Sequence, residues 1–590
     1  MKIPYGQADF AGIRREGYYY ADKTMFLPQL ESAEGGRRFL LLLRPRRFGK
    51  SLLISLLEHY YDLLAAPQFE ALFKGLWIYD HPTPERNAHL VLRFDFSSVD
   101  TSGDETLLRA TFLSVVQVAV QRLLARQGSR FPVLTGLQAK LDAYEDPVSL
   151  IKALLEQIGG AGQSVYVLID EYDNFANDLL ALGRGNAYHD LMGATGFVRA
   201  FYKTLKEYAG KGIVARLFAT GVTPMMLDDL ASGFNIVQQI TFDPHFNALC
   251  GFTRAEVEQA VDAFIALTPD LAPRAQLLED LERFYNGYLF AVRGTERIYN
   301  PELVLYYLAH WRNFGEVPRE MMDINVKVDY SKLRMIASPP GGVQTWQLER
   351  LETLMSEGQL TGTLVERFSA RGLYDEGHFI TLLQCMGLLT IDGYARGQLT
   401  FRIPNLVSAR MHWEELTRMF RQLADAVVNT ADVQRAVAAM AYEGELGPFV
   451  EVVQAGVLEK LSRRDLRLFD ERGVKVVLLS YLSLSPIYIP VSELEHREGF
   501  SDLFLGLDGR FPDAKYTWLL ELKYLKAGAK AAKVEVARKE ALEQLDRYLS
   551  DETVLRLLRG GVGPSARVLR AATLVVVGMK ECHWKLEREV

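Results

Sequence analysis

The segment that most constrains the fold is an apolar run followed by a basic octet that ends in Gly-Lys-Ser. The run Phe39–Leu43 has the continuous hydrophobic character of a buried strand, and the octet Arg-Pro-Arg-Arg-Phe-Gly-Lys-Ser (residues 44–51) follows it directly. The leucine spacing after Ser51 predicts a helix. A strand, a turn and a helix in this order form a loop that binds phosphate through backbone N–H groups at the helix start. We therefore expect an α/β fold with a nucleotide site at this loop.

Individual residues of the octet have distinct expected roles toward ATP. Lys50 would reach the β- and γ-phosphate oxygens, and Ser51 would ligate Mg²⁺. Arg44 stands where the general pattern has glycine, and its position before a proline favours extended backbone at the end of a strand. The alternative is an ordinary basic loop between a strand and a helix. The candidate ATP-binding residues of this segment are Arg47, Phe48, Gly49, Lys50, Ser51 and Leu52.

A second segment supplies the acids that an ATPase needs. Residues 165–171 (Val-Tyr-Val-Leu-Ile-Asp-Glu) read as a buried parallel strand whose carboxyl end carries two acids. Asp170 would hold Mg²⁺, and Glu171 would polarise the attacking water. A further strand ends in Thr220, which would sense the γ-phosphate or that water. The alternative, a core strand that happens to end in acids, is weakened by the octet upstream.

Composition limits the other function classes. The 590 residues carry a net charge of −7, so nucleic acid can be bound only by a local patch. The three cysteines, Cys250, Cys385 and Cys582, lie far apart, which argues against disulfides and structural zinc. The sequence has neither a signal peptide nor an apolar run of membrane-spanning length. We therefore expect a cytoplasmic protein without a membrane partner.

The C-terminal third contains a second set of chemical groups. Three strand-like runs cover residues 487–491, 501–505 and 516–523. Glu521 and Lys523 share one face of the last strand, and Asp502 lies on the strand before it. Asp502 and Glu521 would hold Mg²⁺ or Mn²⁺, and Lys523 would orient the attacking water or stabilise developing charge. The alternative is a Glu-x-Lys triplet on an exposed strand face.

These motifs together resemble the bacterial AAA-ATPase-like proteins that carry a C-terminal PD-(D/E)XK nuclease domain. The octet of that family is typically Arg-Pro-Arg-Arg-Phe-Gly-Lys-Ser, so Arg44 matches the family. The resemblance implies an ATPase core at 1–250, a helical lid at 251–330 and a nuclease-like domain at 436–590. The motifs occupy residues 20–24, 44–51, 168–173, 220–222, 251–257, 285–288, 299–301, 499–502 and 521–523.

The residue pattern adds further elements. Helical stretches and strand-like runs at 388–390 and 398–403, which could form a two-stranded wing, predict a helical or winged-helix module at 331–435. The alternative is a spacer without a binding role. Hydrophobic spacing predicts helices over 104–126, with Phe112 and Val116 on the apolar face and Gln121 outside it, and over 186–209. Thr253 and Glu256 have the spacing of a capping box that opens the lid segment.

The resemblance also suggests residues that support the nuclease site. Glu471 or Glu493 could be an additional acid, although either could be a solvated surface residue. Gln544 and Tyr548 share a helical face and could contact nucleic acid, or Tyr548 could instead pack on the sheet. Residues 510–590 contain 16 Lys/Arg and 11 Asp/Glu, a local net charge of +5 that suits a phosphate backbone.

Two functions follow as expectations. The first is an ATPase whose nucleotide state regulates a metal-dependent nuclease, with DNA favoured over RNA, in phage or mobile-element defence or in DNA processing. The second is an ATP-driven switch whose nuclease fold binds nucleic acid without cleaving it. Assembly into a homo-oligomer and the identity of an arginine finger stay open, with Arg46, Arg47 and Arg199 as candidates.

Overall fold

The computed structural model describes two compact units of the chain. The N-terminal unit comprises residues 1–342 and 361–407, and the C-terminal unit comprises residues 343–360 and 408–590. Each unit is considered separately. The described residues are 2–32, 38–127, 130–193, 196–229, 235–268, 273–323, 345–367, 375–395, 397–424, 428–461, 470–496, 499–550 and 567–590.

A five-stranded parallel sheet forms the centre of the N-terminal unit. Its strands are β1 (Phe39–Leu43), β2 (Leu90–Asp95), β3 (Val165–Asp170), β4 (Val214–Gly221) and β5 (Gln238–Gln239), arranged in the order β2-β3-β4-β1-β5. The neighbouring strands of this sheet are all parallel. Helices cover the sheet, so β1 is apolar throughout, β3 is apolar up to Asp170 at its carboxyl end, and both strands are almost wholly buried. The predicted α/β class and the central strands are confirmed.

Helices of this unit precede and follow the strands. One predicted helix, at 186–209, is wrong in its extent, because two separate helices occupy that stretch. Gly193 and Gly196 have extended backbones there, and a Cβ on Gly196 would lie 1.9 Å from the Leu191 carbonyl oxygen. The helices before the lid segment are Phe10–Glu16, Leu27–Glu31, Lys50–Tyr61, Phe69–Phe73, Trp77–Asp80, Glu105–Gln127, Thr135–Gln138, Pro147–Gly160, Asn174–Ala181, Gly185–Met192 and Phe197–Gly210.

Helix Glu105–Gln127 is the one described helix that is long and apolar enough to cross a membrane by length and composition. It packs against β2 and against helix Pro147–Gly160. Phe112 and Val116 on its predicted apolar face are fully buried, whereas Gln121 is exposed. A core helix of a globular domain has the same properties.

The segment after residue 250 is mostly helical, as predicted. Its helices are Arg254–Ile265, Arg274–Tyr285 and Pro301–Phe314. Thr253 and Glu256 form the predicted capping box, with the Thr253 side chain accepting from the Glu256 backbone N–H and the Glu256 side chain accepting from the Thr253 N–H. The lid function of this segment stays a prediction.

A small three-stranded sheet, formed mostly by residues of the N-terminal unit, follows the lid segment in the sequence. Strands β6 (Gln359–Gly362), β7 (Thr390–Ala395) and β8 (Gln398–Arg402) form a sheet in the order β6-β8-β7, and helix Glu376–Cys385 precedes β7. β7 and β8 are the two-stranded wing expected from the sequence. The assignment of residues 331–435 as one module stays a prediction, and residues 324–344 lie outside the described part of the chain.

The C-terminal unit contains a mixed sheet. Its strands are β9 (Tyr488–His496), β10 (Gly499–Leu507), β11 (Tyr516–Leu525), β12 (Val568–Val577) and β13 (Glu581–Glu589), in the order β13-β12-β11-β10-β9. β11 and β12 are parallel, and the other pairs are antiparallel. The three strands expected from the sequence are therefore present. The α-helices of this region are Thr345–Glu357, Leu406–Ala424, Thr430–Ala438, Gly447–Val453, Glu459–Leu461, Glu471–Leu482 and Ala531–Leu549.

Candidate functional site

The octet forms a tight loop between β1 and helix Lys50–Tyr61. Gly49 has φ 90°, a left-handed conformation that glycine adopts without strain, and it immediately precedes the helix. Arg47 has φ 68°, which is uncommon for a residue with a side chain. Such strained backbone is concentrated at functional sites, where it fixes the direction of neighbouring N–H groups.

Lys50 lies inside this loop rather than in solvent. Its side chain is 4% exposed, and Nζ donates hydrogen bonds of 3.2 Å to the carbonyl oxygens of Arg44 and Pro45. The same Nζ lies 3.8 Å from Glu171 Oε1. The basic end of the octet and the acidic end of β3 therefore meet, as the two sequence motifs predict.

Asp170 and Thr220 are joined across two neighbouring strands. β3 and β4 are parallel, so their carboxyl ends lie at the same edge of the sheet. Thr220 Oγ1 donates a 2.8 Å hydrogen bond to Asp170 Oδ1, and Asp170 is 2% exposed. This bond fixes the orientation of the carboxylate, so Thr220 contacts a predicted magnesium ligand directly.

Glu171 is held in an unusual backbone conformation beside these residues. Its φ is 55°, and its carboxyl group lies close to Lys50. Burial raises the pKa of Glu171 above its ordinary value, while the nearby Lys50 charge lowers it. A raised pKa brings a carboxyl group closer to the range that suits a general base near neutral pH.

The side chains of Lys50, Asp170 and Glu171 line one cavity of about 450 Å³, whereas Thr220, which contacts Asp170 from behind, is not among its lining residues. That volume lies within the range of typical small-molecule sites. The hydroxyl of Ser51 and the carboxylate of Asp170 supply the hard oxygen donors that Mg²⁺ prefers, so the residues fit a magnesium nucleotide. The predicted ATP-site residues that line the cavity are Arg47, Phe48, Gly49, Lys50, Ser51, Leu52, Asp170 and Glu171.

The remaining lining residues come from the N-terminal segment and from the lid segment. Tyr19, Tyr20 and Lys23 contribute to one part of the wall, and Phe252 and Leu305 contribute to another. Lys23 Nζ forms a 2.7 Å ion pair with Glu256 Oε2 of the capping box. Sequence reasoning assigned none of these five side chains to the site.

Asp173, for which the sequence pattern predicts no role, organises the loops behind the cavity. The side chain is fully buried and accepts hydrogen bonds from Val222 N at 3.1 Å and from Thr223 N and Oγ1 at 2.7 Å each. The Tyr172 hydroxyl donates to the carbonyl of Thr223 at 2.7 Å. Because Thr220 precedes this turn, the network fixes β4 relative to the acidic end of β3.

Arg44, the residue that departs from the general loop pattern, is 1% exposed. Its guanidinium donates to the carbonyls of Leu43 at 2.8 Å, Thr241 at 3.0 Å and Phe246 at 2.8 Å, and lies 4.2 Å from the centre of the Phe290 ring. Burial lowers its pKa to about 10. Arg44 therefore ties the start of the loop to the segments after β5.

A second cluster lies on β11 in the C-terminal unit. Glu521 is 2% exposed, and Lys523 Nζ lies 3.4 Å from Glu521 Oε1 and 3.8 Å from Glu471 Oε1. Glu471 begins helix Glu471–Leu482, and its Oε2 accepts a 3.1 Å hydrogen bond from the Tyr524 N–H. Of the two candidates for the additional acid, Glu471 is therefore placed beside the predicted lysine.

Asp502 lies on the adjacent strand. Leu503 of β10 pairs with Leu520 of β11, so Asp502 and Glu521 follow at the next step of the two backbones. The side chains of Asp502 and Glu493 fall outside the described residues. Within the described residues, no group of three or more His, Cys, Asp or Glu side chains could hold a metal. The carboxylates of Glu521 and Glu471 are nevertheless the oxygen donors that Mg²⁺ and Mn²⁺ require.

Gln544 and Tyr548 lie on helix Ala531–Leu549, as predicted. Tyr548 is 4% exposed and packs with Leu519 and Leu569, which is the packing alternative rather than an exposed substrate contact. Gln544 is half-buried, and its Oε1 has no hydrogen-bond partner among the described residues. Substrate contact by either residue stays a prediction.

Comparison with known proteins bears on both units. Residues 4–231 match the family model of the predicted AAA-ATPases, and residues 469–559 match that of the PD-(D/E)XK nuclease superfamily. An uncharacterized protein from the vnfD 5′ region of Azotobacter chroococcum is 30% identical over 308 residues, which are 52% of this chain and 52% of that protein. The chain thus matches about half the length of this curated relative.

One solved structure with a similar chain is the Walker-type ATPase PABY2304 of Pyrococcus abyssi. It is 14% identical, with a TM-score of 0.38, and the match covers 69% of this chain and 98% of that chain. The two family-model matches occur in the predicted order along the chain. Together they match the two-domain architecture expected from the sequence, an AAA-ATPase-like part followed by a PD-(D/E)XK nuclease-superfamily part.

Proposed function

We propose that this protein binds and hydrolyses ATP, and that its nucleotide state regulates metal-dependent cleavage of nucleic acid by the C-terminal unit. The observation that carries the ATPase part is the meeting of Lys50 with Glu171 in one cavity, beside the Asp170–Thr220 pair. These groups come from three separate segments of the chain. Their convergence has no evident use in a purely structural loop.

In the proposed hydrolysis, the backbone N–H groups of the loop and Lys50 hold the phosphates. Mg²⁺, when bound, would neutralise charge on the β- and γ-phosphates, with Ser51 and Asp170 holding it. Glu171 accepts a proton from the attacking water, the new bond forms between that water oxygen and the γ-phosphorus, and the bond to the ADP oxygen breaks. Thr220 keeps Asp170 in place through its hydroxyl.

In the proposed nuclease, Asp502 and Glu521 would hold a divalent metal. The metal, when bound, would lower the pKa of water and offset charge on the scissile phosphate. Lys523, which lies beside Glu521 and Glu471, stabilises negative charge as the phosphodiester bond breaks. This lysine supports cleavage over binding alone, because a fold that only held nucleic acid would not need a buried acid paired to a lysine.

The biological setting that we propose is a cytoplasmic role in defence against phage or mobile DNA, or in DNA processing. The favoured substrate is DNA, and the basic excess of residues 510–590 supports contact with a phosphate backbone. The test uses plasmid, linear and single-stranded DNA and RNA with Mg²⁺ or Mn²⁺, with and without ATP. Wild type is expected to cut at least one substrate, and Lys523→Ala is expected to cut none. Intact substrates with wild type, or equal cleavage by Lys523→Ala, would contradict the nuclease proposal.

A further inference from the structure

Arg46 lies in the same cavity as the residues proposed to carry hydrolysis. It is the third residue of the octet, and it lines the wall together with Lys50, Asp170 and Glu171. The octet therefore brings three cations to this cavity wall, since Arg47 lines it as well. Lys50 contacts the loop carbonyls, whereas Arg46 contacts Asn174.

The Arg46 guanidinium is held at the acidic end of the site. Its NH2 group donates a 2.9 Å hydrogen bond to Asn174 Oδ1. Asn174 is buried and begins helix Asn174–Ala181, four residues after the end of β3. Arg46 therefore crosses from the phosphate loop toward the segment that carries Glu171, and its positive charge helps to lower the pKa of Glu171.

The other arginines are placed differently. Arg47 also lines the cavity, but its charge acts on Glu302 of the lid segment. Arg44 is buried against three carbonyl groups and the Phe290 ring. Arg199 lies on helix Phe197–Gly210 and is not among the residues that line the described cavity. We therefore assign Arg46 to the end of the site where Glu171 would activate the water.

Phosphoryl transfer needs such a cation because negative charge spreads over the γ-phosphate oxygens and the leaving oxygen in the transition state. An arginine offers a planar set of donors that match two phosphate oxygens, which a lysine does not. We infer that Arg46 is a catalytic residue of the ATPase that acts in cis, so that hydrolysis requires no arginine from a second subunit. This inference rests on the proposed ATPase function. It adds to that function the residue that stabilises the negative charge of the transition state.

The first experiment separates binding from catalysis. We expect Arg46→Ala to lower kcat for ATP by about 10²–10³-fold, because the interaction forms mainly in the transition state. ADP affinity should change by less than about 3-fold, whereas the extra affinity that wild type shows for ADP with aluminium fluoride and Mg²⁺ should be lost. Arg46→Lys should recover little of either property. Arg122→Ala is the matched control, because Arg122 is exposed on helix Glu105–Gln127.

The second experiment distinguishes cis from trans action. Arg46→Ala and Glu171→Gln are mixed in equal amounts, so that any assembly would pair an intact arginine with an intact Glu171. We expect the mixture to hydrolyse ATP no faster than the sum of the separate variants, and turnover per wild-type chain to stay constant on dilution. Recovery of activity in the mixture would overturn action in cis.

The outcomes also separate this inference from the proposed function. If wild type hydrolyses ATP and Arg46→Ala matches it in both kcat and aluminium fluoride binding, the inference fails and the ATPase proposal stands. If wild type neither hydrolyses ATP nor binds ADP with aluminium fluoride, the ATPase proposal fails, and the role of Arg46 fails with it. Asn174→Ala provides a second variant, in which the guanidinium is present but lacks its hydrogen bond to Asn174, and it should give a smaller loss of kcat than Arg46→Ala.

Discussion

Lys50 Nζ lies 3.8 Å from Glu171 Oε1, although the two residues belong to segments far apart in the chain. One comes from the helix start after β1, and the other follows the end of β3. The parallel sheet brings both to its carboxyl edge, which is where open α/β sheets bind ligands. The contact makes Lys50, the proposed phosphate ligand, and Glu171, the proposed base, electrostatically dependent on each other.

Lys50→Ala should weaken ATP binding by about 10²-fold, because a buried charge-assisted contact to phosphate is lost. The substitution also removes the cation that lowers the pKa of Glu171, so that pKa should rise further. Isothermal titration with a non-hydrolysable ATP analogue measures the affinity. Lys74→Ala, which removes an exposed lysine, is the control and should bind as wild type does. Equal affinities for both variants would remove Lys50 from the site.

The pH dependence of hydrolysis should reflect the environment of Glu171. Burial raises its folded-state pKa above the ordinary value of 4.5. Since the ionised carboxylate is the proposed base, the rate should fall as pH drops through that raised pKa and stay high above it. Measurement of kcat between pH 4.5 and pH 9 tests this. An acid limb at or below the ordinary glutamate pKa would argue against Glu171 as the base.

Asp173→Asn should disturb the turn after β4. The substitution leaves the buried Thr223 N–H and hydroxyl with a weaker acceptor, and we expect a loss of about 2–4 kcal/mol in the free energy of unfolding. Denaturant titration gives that value, and kcat should fall as Thr220 loses its fixed position. Asp142→Asn, at an exposed aspartate, is the control. A stability change within 0.5 kcal/mol of wild type would contradict the structural role of Asp173.

Glu471→Gln tests the additional acid of the nuclease site. The substitution removes the negative charge beside Lys523 and one of the two oxygens that could bind the proposed metal. The cleavage rate should therefore fall by about 10–100-fold. Raising the Mg²⁺ or Mn²⁺ concentration should recover part of the rate. Glu451→Gln, at an exposed glutamate of helix Gly447–Val453, serves as the matched control. Unchanged cleavage by Glu471→Gln would place this residue outside the site.

The sequence predicted the parts of this molecule that depend on short-range pattern. Continuous apolar runs predicted β1 and β3, and the capping box at Thr253 was predicted from residues three apart. Alternation on β11 placed Glu521 and Lys523 on one face, and the structure brings them within 3.4 Å. Local periodicity was sufficient for each of these.

The parts that the sequence did not predict depend on long-range contacts. The burial of Arg44 requires carbonyl groups of Thr241 and Phe246, which lie almost 200 residues downstream. The Asp173 network and the Arg46–Asn174 bond likewise join separate segments. The sequence does not decide between substrate contact and packing for Tyr548, because the position of a residue on a helical face does not show whether another element covers that face.

We propose that the nucleotide bound at Lys50 controls cleavage at Lys523. The most direct test of this control is the nuclease rate of Glu171→Gln, measured with and without ATP. This variant should retain ATP, so that one nucleotide state is sampled throughout. We predict that ATP changes its metal-dependent cleavage rate by about 5–150-fold, the range of typical coupling free energies, and that Lys50→Ala shows no response to ATP. Cleavage that is equal with and without ATP in Glu171→Gln would contradict the account.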